Sequence, residues 1–162
     1  MGSVRFGIPR DLVLALKAKH PSDLFVETGT LEGDSSEWAA GHFKYVWTVD
    51  VGCHEKAAKL DRLDNVARIP HTDTVLFLQN VRFDDPAFFW LDAHTDESCP
   101  VLKEIGIVNA SPHAHVILVD DARLFGRLPA WPSLEAVCEA LRDNGRRVTE
   151  IVEDVIVATP CR

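Results

Sequence analysis

The stretch from Leu24 to Gly33 reads LFVETGTLEG. It opens on three large apolar residues, turns polar at Glu27-Thr28, and carries glycine at 29 and 33. A short apolar run ending in glycine reads as a buried strand, Leu24–Thr28, that enters a tight turn. A helix is predicted to open at Asp34, with Glu37 three residues on completing a capping box. Outward from this stretch the same alternation repeats. Strand-like runs fall at Tyr45–Asp50, Ala67–Ile69, Phe88–Asp92 and His115–Asp120. Helical patterns fall over residues 9–19, 54–63, 74–80, 100–110 and 133–143, the last stopping at Asn144-Gly145. Strands alternating with helices imply a parallel sheet covered by helices. The tail differs. Arg147–Val152 and Val155–Thr159 are separated only by Glu153-Asp154, too short a link for a helical crossover, so a hairpin is expected. The expected fold is α/β: a seven-stranded, mostly parallel sheet with a C-terminal antiparallel hairpin and helices on both faces. It occupies one domain over residues 1–162.

The 162 residues are 46% hydrophobic and 26% charged, a globular composition. No apolar run approaches the ~18 residues needed to span a bilayer. The start, MGSVRFGIPR, has no long apolar leader core, and its first residues carry no functional reading. The net charge of −8 argues against a general binder of nucleic acid or anionic membrane. Cys53, Cys99, Cys138 and Cys161 are widely spaced with no CxxC, which reads as reduced thiols in a cytoplasmic protein.

In an open parallel sheet, ligands gather at the carboxyl ends of the strands, near the point where strand order reverses. The residues just there are therefore the candidates. Glu27, Thr28, Gly29, Thr30 and Gly33 surround the end of the first strand. Glycine in such a turn lets backbone approach a ligand where a Cβ would clash. Asp50 ends the second strand, roughly 20 residues beyond the turn, where an acid that binds a ribose hydroxyl usually sits. Asp73 follows the third strand. The spacing is not the dinucleotide GxGxxG, and a carboxylate beside a pyrophosphate is unfavourable. The turn reads as the seat of an adenosine-bearing cofactor. A plain strand-to-helix turn, and an exposed loop aspartate at 73, are the alternatives.

Glu27, Gly29 and Gly33 spell ExGxxxG. This resembles motif I of class I S-adenosylmethionine-dependent methyltransferases, whose sheet is Rossmann-like, with seven strands and one reversed at the end. The resemblance implies S-adenosyl-L-methionine as cofactor. It places Glu27 toward the cationic methionine portion, Asp50 on the ribose and Asp73 at the adenine amino group.

The fourth strand ends in Trp90-Leu91-Asp92-Ala93-His94 and the fifth in Val119-Asp120-Asp121. If the two strands are neighbours, three carboxylates converge at the cofactor edge. They repel, and burying them unpaired is costly. A divalent cation resolves this, and all-oxygen ligation favours Mg²⁺, Mn²⁺ or Ca²⁺ over zinc. A double aspartate paired with Arg123, with no metal, is the alternative. The order of these acids resembles the metal-dependent sugar O-methyltransferases of macrolide and aminocoumarin biosynthesis. That resemblance implies Asp92, Asp120 and Asp121 as ligands of Mg²⁺ or Mn²⁺. Such a cation holds two vicinal substrate oxygens and lowers the pKa of the attacking hydroxyl. Where that family has an aspartate as general base, this chain has His94. Histidine can serve as the base, as a further ligand that moves the metal preference toward Mn²⁺, Fe²⁺ or Zn²⁺, or as a structural group. Strings such as FWLDAH and HVILVDDARLF also resemble bacterial proteins of the same methyltransferase fold.

The activity expected is metal-assisted O-methylation of a small polar acceptor, sugar-like or a natural product, with no nucleic-acid or membrane partner. The alternative of a different class is a ligand- or partner-binding module on the same fold. The chain has no long segment to cover the acceptor, so an open site completed by a second copy in a homodimer is the expected assembly. Asp92–Asp96, DAHTD, also resembles a signature of the ureohydrolases, which hold two Mn²⁺. Against it, the chain has no second DxD-type signature and no GGDHS-like loop. His113 and His115 precede the fifth strand, at the edge away from the cofactor, and read as a solvated loop rather than a site. Trp38 and Trp47 read as packing residues. Phe125, Trp131 and Pro132 follow the fifth strand and either wall the substrate site or pack a loop.

Overall fold

A computed structural model describes residues 7–161 of the chain; the reading of the first residues lies outside that range. The strands are β1 (Leu24–Thr28), β2 (Tyr45–Val49), β3 (Val66–Ile69), β4 (Ala87–Leu91), β5 (Val116–Val119), β6 (Arg147–Val152) and β7 (Val155–Pro160). They form one sheet in the order β3-β2-β1-β4-β5-β7-β6. The pairs β1–β2, β1–β4, β2–β3 and β4–β5 are parallel, while β7 runs antiparallel to both β5 and β6. Order reverses between β1 and β4, which sets the ligand crevice at their carboxyl ends.

The helices are α1 (Arg10–Lys19), α2 (Asp34–Ala40), α3 (Thr74–Asn80), α4 (Val101–Asn109) and α5 (Leu134–Arg142). Period-two alternation along the buried strands feeds two separate cores. Phe89 and Leu91 of β4, Ile117 and Val119 of β5 and Ile156 of β7 pack with α3, α4 and α5 through Leu78, Ile105 and Leu141. Phe88 and Trp90 of β4, with Leu118 of β5, pack on the other face with α1 and α2 through Val13, Leu16 and Ala39. All five residues of β4 are buried, as their unbroken apolar run requires. Among the described residues no helix is long and apolar enough to cross a membrane.

Two local expectations change. The charged segment expected over 54–63 is a 3₁₀ helix, Glu55–Arg62. Its buried residues are Ala57 and Leu60, three apart, and three residues per turn is the repeat that puts both on one side. The capping box at Asp34 does not form. The N-cap of α2 is Gly33, left-handed at φ 81, and no side chain caps the helix. Asp34 and Glu37 instead hold Lys59, Glu37 at 2.9 Å, and pin the 3₁₀ helix to α2.

Candidate functional site

The register levels four strand ends. Thr28 lies beside Val49 on one side and Leu91 on the other, and Leu91 lies beside Val119. The ladder runs one residue further. Gly29 N–H donates to the Val49 carbonyl (2.9 Å), Asp92 N–H to Thr28 (2.9 Å) and Asp120 N–H to Leu91 (3.2 Å). Gly29, Asp92 and Asp120 are thus held in one row by backbone hydrogen bonds. A cavity of about 470 Å³ opens over this row, within the ~300–1,000 Å³ of small-molecule sites. Glu27, Gly29, Thr30 and Gly33 line one wall, Asp92, Asp120 and Asp121 another. Ile8, Arg10 and Arg123 also line the cavity.

The two glycines are there for a reason the sequence did not suggest. Gly29 has φ 90, and a Cβ on it would lie 2.3 Å from the Asp92 carbonyl oxygen. Gly33 has φ 81, and a Cβ would lie 2.8 Å from Leu60 Cδ1. Backbone packing requires the first, and the left-handed φ favours glycine at the second, both independently of any ligand. The first ties the glycine turn directly to the end of β4.

Glu27 is 2% exposed. Its Oε2 accepts hydrogen bonds from Ser36 Oγ (2.5 Å) and Thr48 Oγ1 (2.7 Å), and the Thr48 and Thr30 hydroxyls are 2.7 Å apart. Burial pushes its carboxyl up to about 7 and the two hydroxyls partly offset that. Thr28 lies behind the turn, fully buried and outside the cavity lining. Asp50 accepts from the Leu31 N–H (3.0 Å) and the Gly52 N–H (2.8 Å), so both carboxylate oxygens hold loops in place. It borders a small neighbouring pocket. Asp73 caps α3, accepting from Leu76 N–H at 2.8 Å. Neither Asp50 nor Asp73 lines the main cavity.

At the acidic end, Asp92, His94, Asp120 and Asp121 come together. His94 Nε2 is 3.4 Å from Asp92 Oδ1 and 3.4 Å from Asp121 Oδ2, with the His94 side chain 3% exposed. That nitrogen is buried and makes no hydrogen bond. Trp131 packs edge-on to the His94 ring at 4.3 Å and donates its indole N–H to the Thr95 carbonyl (2.8 Å). Phe125 and Trp131 therefore wall His94. Burial, then the neighbouring Asp120 and Asp121 charges, push Asp92 up to about 8. Burial pushes Asp120 up to about 6, against the hydrogen bond it accepts from Asp121 N–H (2.7 Å). Asp121 is held below the usual carboxylate range by the His94 ring and the Arg123 guanidinium beside it. Its backbone is left-handed, φ 58, an uncommon geometry for a residue with a Cβ and a frequent companion of functional sites. An orphaned buried nitrogen between two carboxylates is a donor set that fits a divalent cation.

Several participants escaped the sequence reading. Asp154, in the β6–β7 turn, accepts from Arg123 N–H (2.9 Å) and pairs with the Arg123 guanidinium, which also binds Asp121 Oδ1 at 2.5 Å. Glu104 of α4 is 1% exposed and accepts from Thr74 Oγ1 (2.5 Å); burial pushes it up to about 7. No motif marked either, because both are brought in by chain distant in sequence. The histidines before β5 need correction. His115 is fully buried, not solvated. Its Nδ1 accepts the Ala87 N–H (2.9 Å) and its Nε2 meets Ser111 Oγ (2.8 Å). Asp96, which the DAHTD reading would need beside a metal, is exposed in the turn closed by Thr95 and Ser98.

An O-methyltransferase from Bacillus cereus in complex with SAH superposes with a TM-score of 0.68 at 16% identity, over 96% of this chain and 82% of that one. TomG from Streptomyces achromogenes, an O-methyltransferase of tomaymycin synthesis in complex with SAM, gives 0.69 at 16% identity, over 98% and 82%. The protein has the class I methyltransferase fold. An amino pentose methyltransferase of calicheamicin biosynthesis from Micromonospora echinaspora, with SAM bound, shares this fold at 0.65 and 11% identity, over 94% and 89%. No protein-family model matches the chain, and no curated protein matches it by sequence. In this fold the glycine turn after β1 and the acids after β4 and β5 line one cavity of the chain.

Proposed function

We propose that the protein is an S-adenosylmethionine-dependent methyltransferase acting on an oxygen of a small polar acceptor, sugar-like or a natural product, with a divalent cation at the acidic end. One observation carries the reading: a single cavity has the glycine turn and Glu27 on one wall and Asp92, Asp120 and Asp121 on the other. A methyl donor and an acceptor must meet in one such space, because in-line transfer needs the reacting atoms ~3–3.5 Å apart.

The chain's own residues divide the work. Thr30 and the backbone of Gly29–Gly33 bind the donor, with Glu27 beside its cationic part. Asp50 and Asp73 hold the loops on its nucleoside side. Asp92, Asp120 and Asp121 supply the oxygen-rich pocket for the cation, which when bound lowers the pKa of the attacking hydroxyl. Asp92 and His94 are the groups able to take the acceptor's proton. Phe125 and Trp131, packed on His94, exclude water from that end.

Calorimetry with S-adenosylmethionine and S-adenosylhomocysteine tests the donor half: both should bind, and binding of neither overturns the proposal. Asp92→Asn should keep S-adenosylhomocysteine binding while lowering methyl transfer about 100-fold or more, since one transition-state contact typically carries that much. A second reading, a binding module of the same fold without methyl transfer, draws on the two acids already engaged with backbone amides, Asp50 and Asp73. It gains if the donor binds and no acceptor is methylated with either Mg²⁺ or Mn²⁺.

A further inference from the structure

The acidic end contains two overlapping clusters that share Asp121 and differ in what neutralises them. Asp120, Asp121 and Asp154 bring carboxylate oxygens within 4.8 Å of one another. Arg123 reaches into that cluster and pairs with Asp121 Oδ1 and Asp154 Oδ2, so it already contains a cation. Asp92, His94 and Asp121 form the other cluster, also within 4.8 Å. Among the described residues no Lys or Arg forms an ion pair with Asp92, and Asp121 turns its free oxygen, Oδ2, to His94. The carboxylate of Asp121 is thus split, one oxygen on the arginine and one facing the histidine.

The distances distinguish a hydrogen bond from a shared ion. A charge-assisted N–H···O contact closes to ~2.7–2.9 Å. Both His94 contacts are 3.4 Å, and the nitrogen makes no hydrogen bond. Two donors each ~2.1 Å from one cation are about 3.0 Å apart at right angles and about 3.4 Å apart at a tetrahedral angle. Both observed separations fall in that interval. Asp120 is different: its Oδ1 is taken by the Asp121 N–H, a bond that helps hold Asp121 in its left-handed conformation.

Resting on the metal-assisted reading, we propose that the cation centre is Asp92 Oδ1, His94 Nε2 and Asp121 Oδ2, with Asp120 a positioning residue. We infer that it selects Mn²⁺, Fe²⁺, Co²⁺ or Zn²⁺ over Mg²⁺ and Ca²⁺. An imidazole donor favours the transition ions, whereas three carboxylates would favour the hard ones. His94 would then serve the cation rather than the proton: the bound cation would lower the pKa of the acceptor hydroxyl, and the hydroxyl proton would leave to solvent.

The test is direct metal binding to the full chain, without turnover. Titration with Co²⁺, Mn²⁺ and Mg²⁺ should show Mg²⁺ binding weakest. The Co²⁺-loaded protein should show a strongly shifted, exchangeable imidazole N–H resonance in its proton spectrum; this needs no variant and holds whether or not substitutions fold. His94→Asp should lose that resonance, weaken Co²⁺ about 10- to 100-fold and gain on Mg²⁺. Asp121→Asn should weaken Co²⁺ far more than Asp120→Asn. Equal Co²⁺ and Mg²⁺ affinity, equal losses at 120 and 121, or no metal binding with a doubly protonated His94 ring at neutral pH would each overturn it. Calorimetry with S-adenosylhomocysteine separates the two claims. Its binding without metal binding overturns this inference and the cation of the proposed function but leaves the methyl donor in place, while metal binding without it overturns the methyltransferase reading alone.

Discussion

The two ends of the sheet bury histidine in opposite ways. At the amino edge, His115 accepts from Ala87 N–H and donates to Ser111, and Arg147 beside it donates to the His115 carbonyl (3.1 Å) and to Asn109 Oδ1 (2.7 Å). Burial and the nearby Arg147 charge push His115 down to about 4, so it stays neutral and structural. At the carboxyl edge, His94 is equally enclosed, yet its Nε2 has no hydrogen bond and faces two carboxylates. Among the described residues, folding pairs both ring nitrogens of His115 and leaves the buried His94 Nε2 unpaired. Such an unpaired buried cluster is costly unless a ligand relieves it, so the contrast marks the carboxyl edge as the candidate working edge without reference to any relative.

Four substitutions sharpen or break that contrast. The largest effect is expected from Gly29→Ala, which drives a Cβ into the Asp92 carbonyl at an unfavourable φ. Denaturant unfolding should show a loss of about 3–4 kcal/mol, with S-adenosylhomocysteine binding lost as well. A neutral result would mean that the turn and the acidic end are not rigidly joined. Next, His115→Ala leaves the buried Ala87 N–H unpaired and should cost about 2 kcal/mol. Ligand affinity should not change; a large change would connect the two edges.

Glu27→Gln should have a smaller effect, and one that depends on pH. The Glu27 carboxyl rises from its ordinary 4.5 to about 7 in the folded state. Its contribution is therefore fully present below about 4.5 and is lost as pH rises through 7. The variant should flatten that part of the stability profile, by an amount on the order of 1 kcal/mol. His115, a base with a lowered pKa, acts in the opposite sense: its contribution is present above 6.5 and is lost as pH falls through about 4. Thermal melts from pH 4 to 9 of both variants should thus change slope in opposite directions. Least affected should be Lys59→Ala. Its pairs with Asp34 and Glu37 are surface contacts expected to contribute under about 1 kcal/mol, and less in high salt.

Much of this edge is legible in the sequence. The apolar runs ending in Thr28, Leu91 and Val119 announced strands, and the polar residues after them announced the crevice. The two-residue link at Glu153-Asp154 announced the reversed pair. The capping box at Asp34 was misread because a glycine in the left-handed conformation ended the turn one residue earlier. His115 was misread because a loop's polarity says nothing of the strand end that comes to lie against it. Asp154 and Glu104 were invisible, since each acts through a partner far along the chain: Arg123 for the first, Thr74 for the second.

Local periodicity and glycine placement belong to the sequence alone, because they depend on residues within one strand or turn of each other. They determined an α/β sheet with a glycine turn at one end and acids at the same end. Which oxygen faces which nitrogen is a matter of ångströms between segments that never meet in the chain. Only the tertiary structure decided that Gly29 is glycine for the sake of Asp92, that Arg123 divides the Asp121 carboxylate, and that His94 is left without a hydrogen bond between two acids.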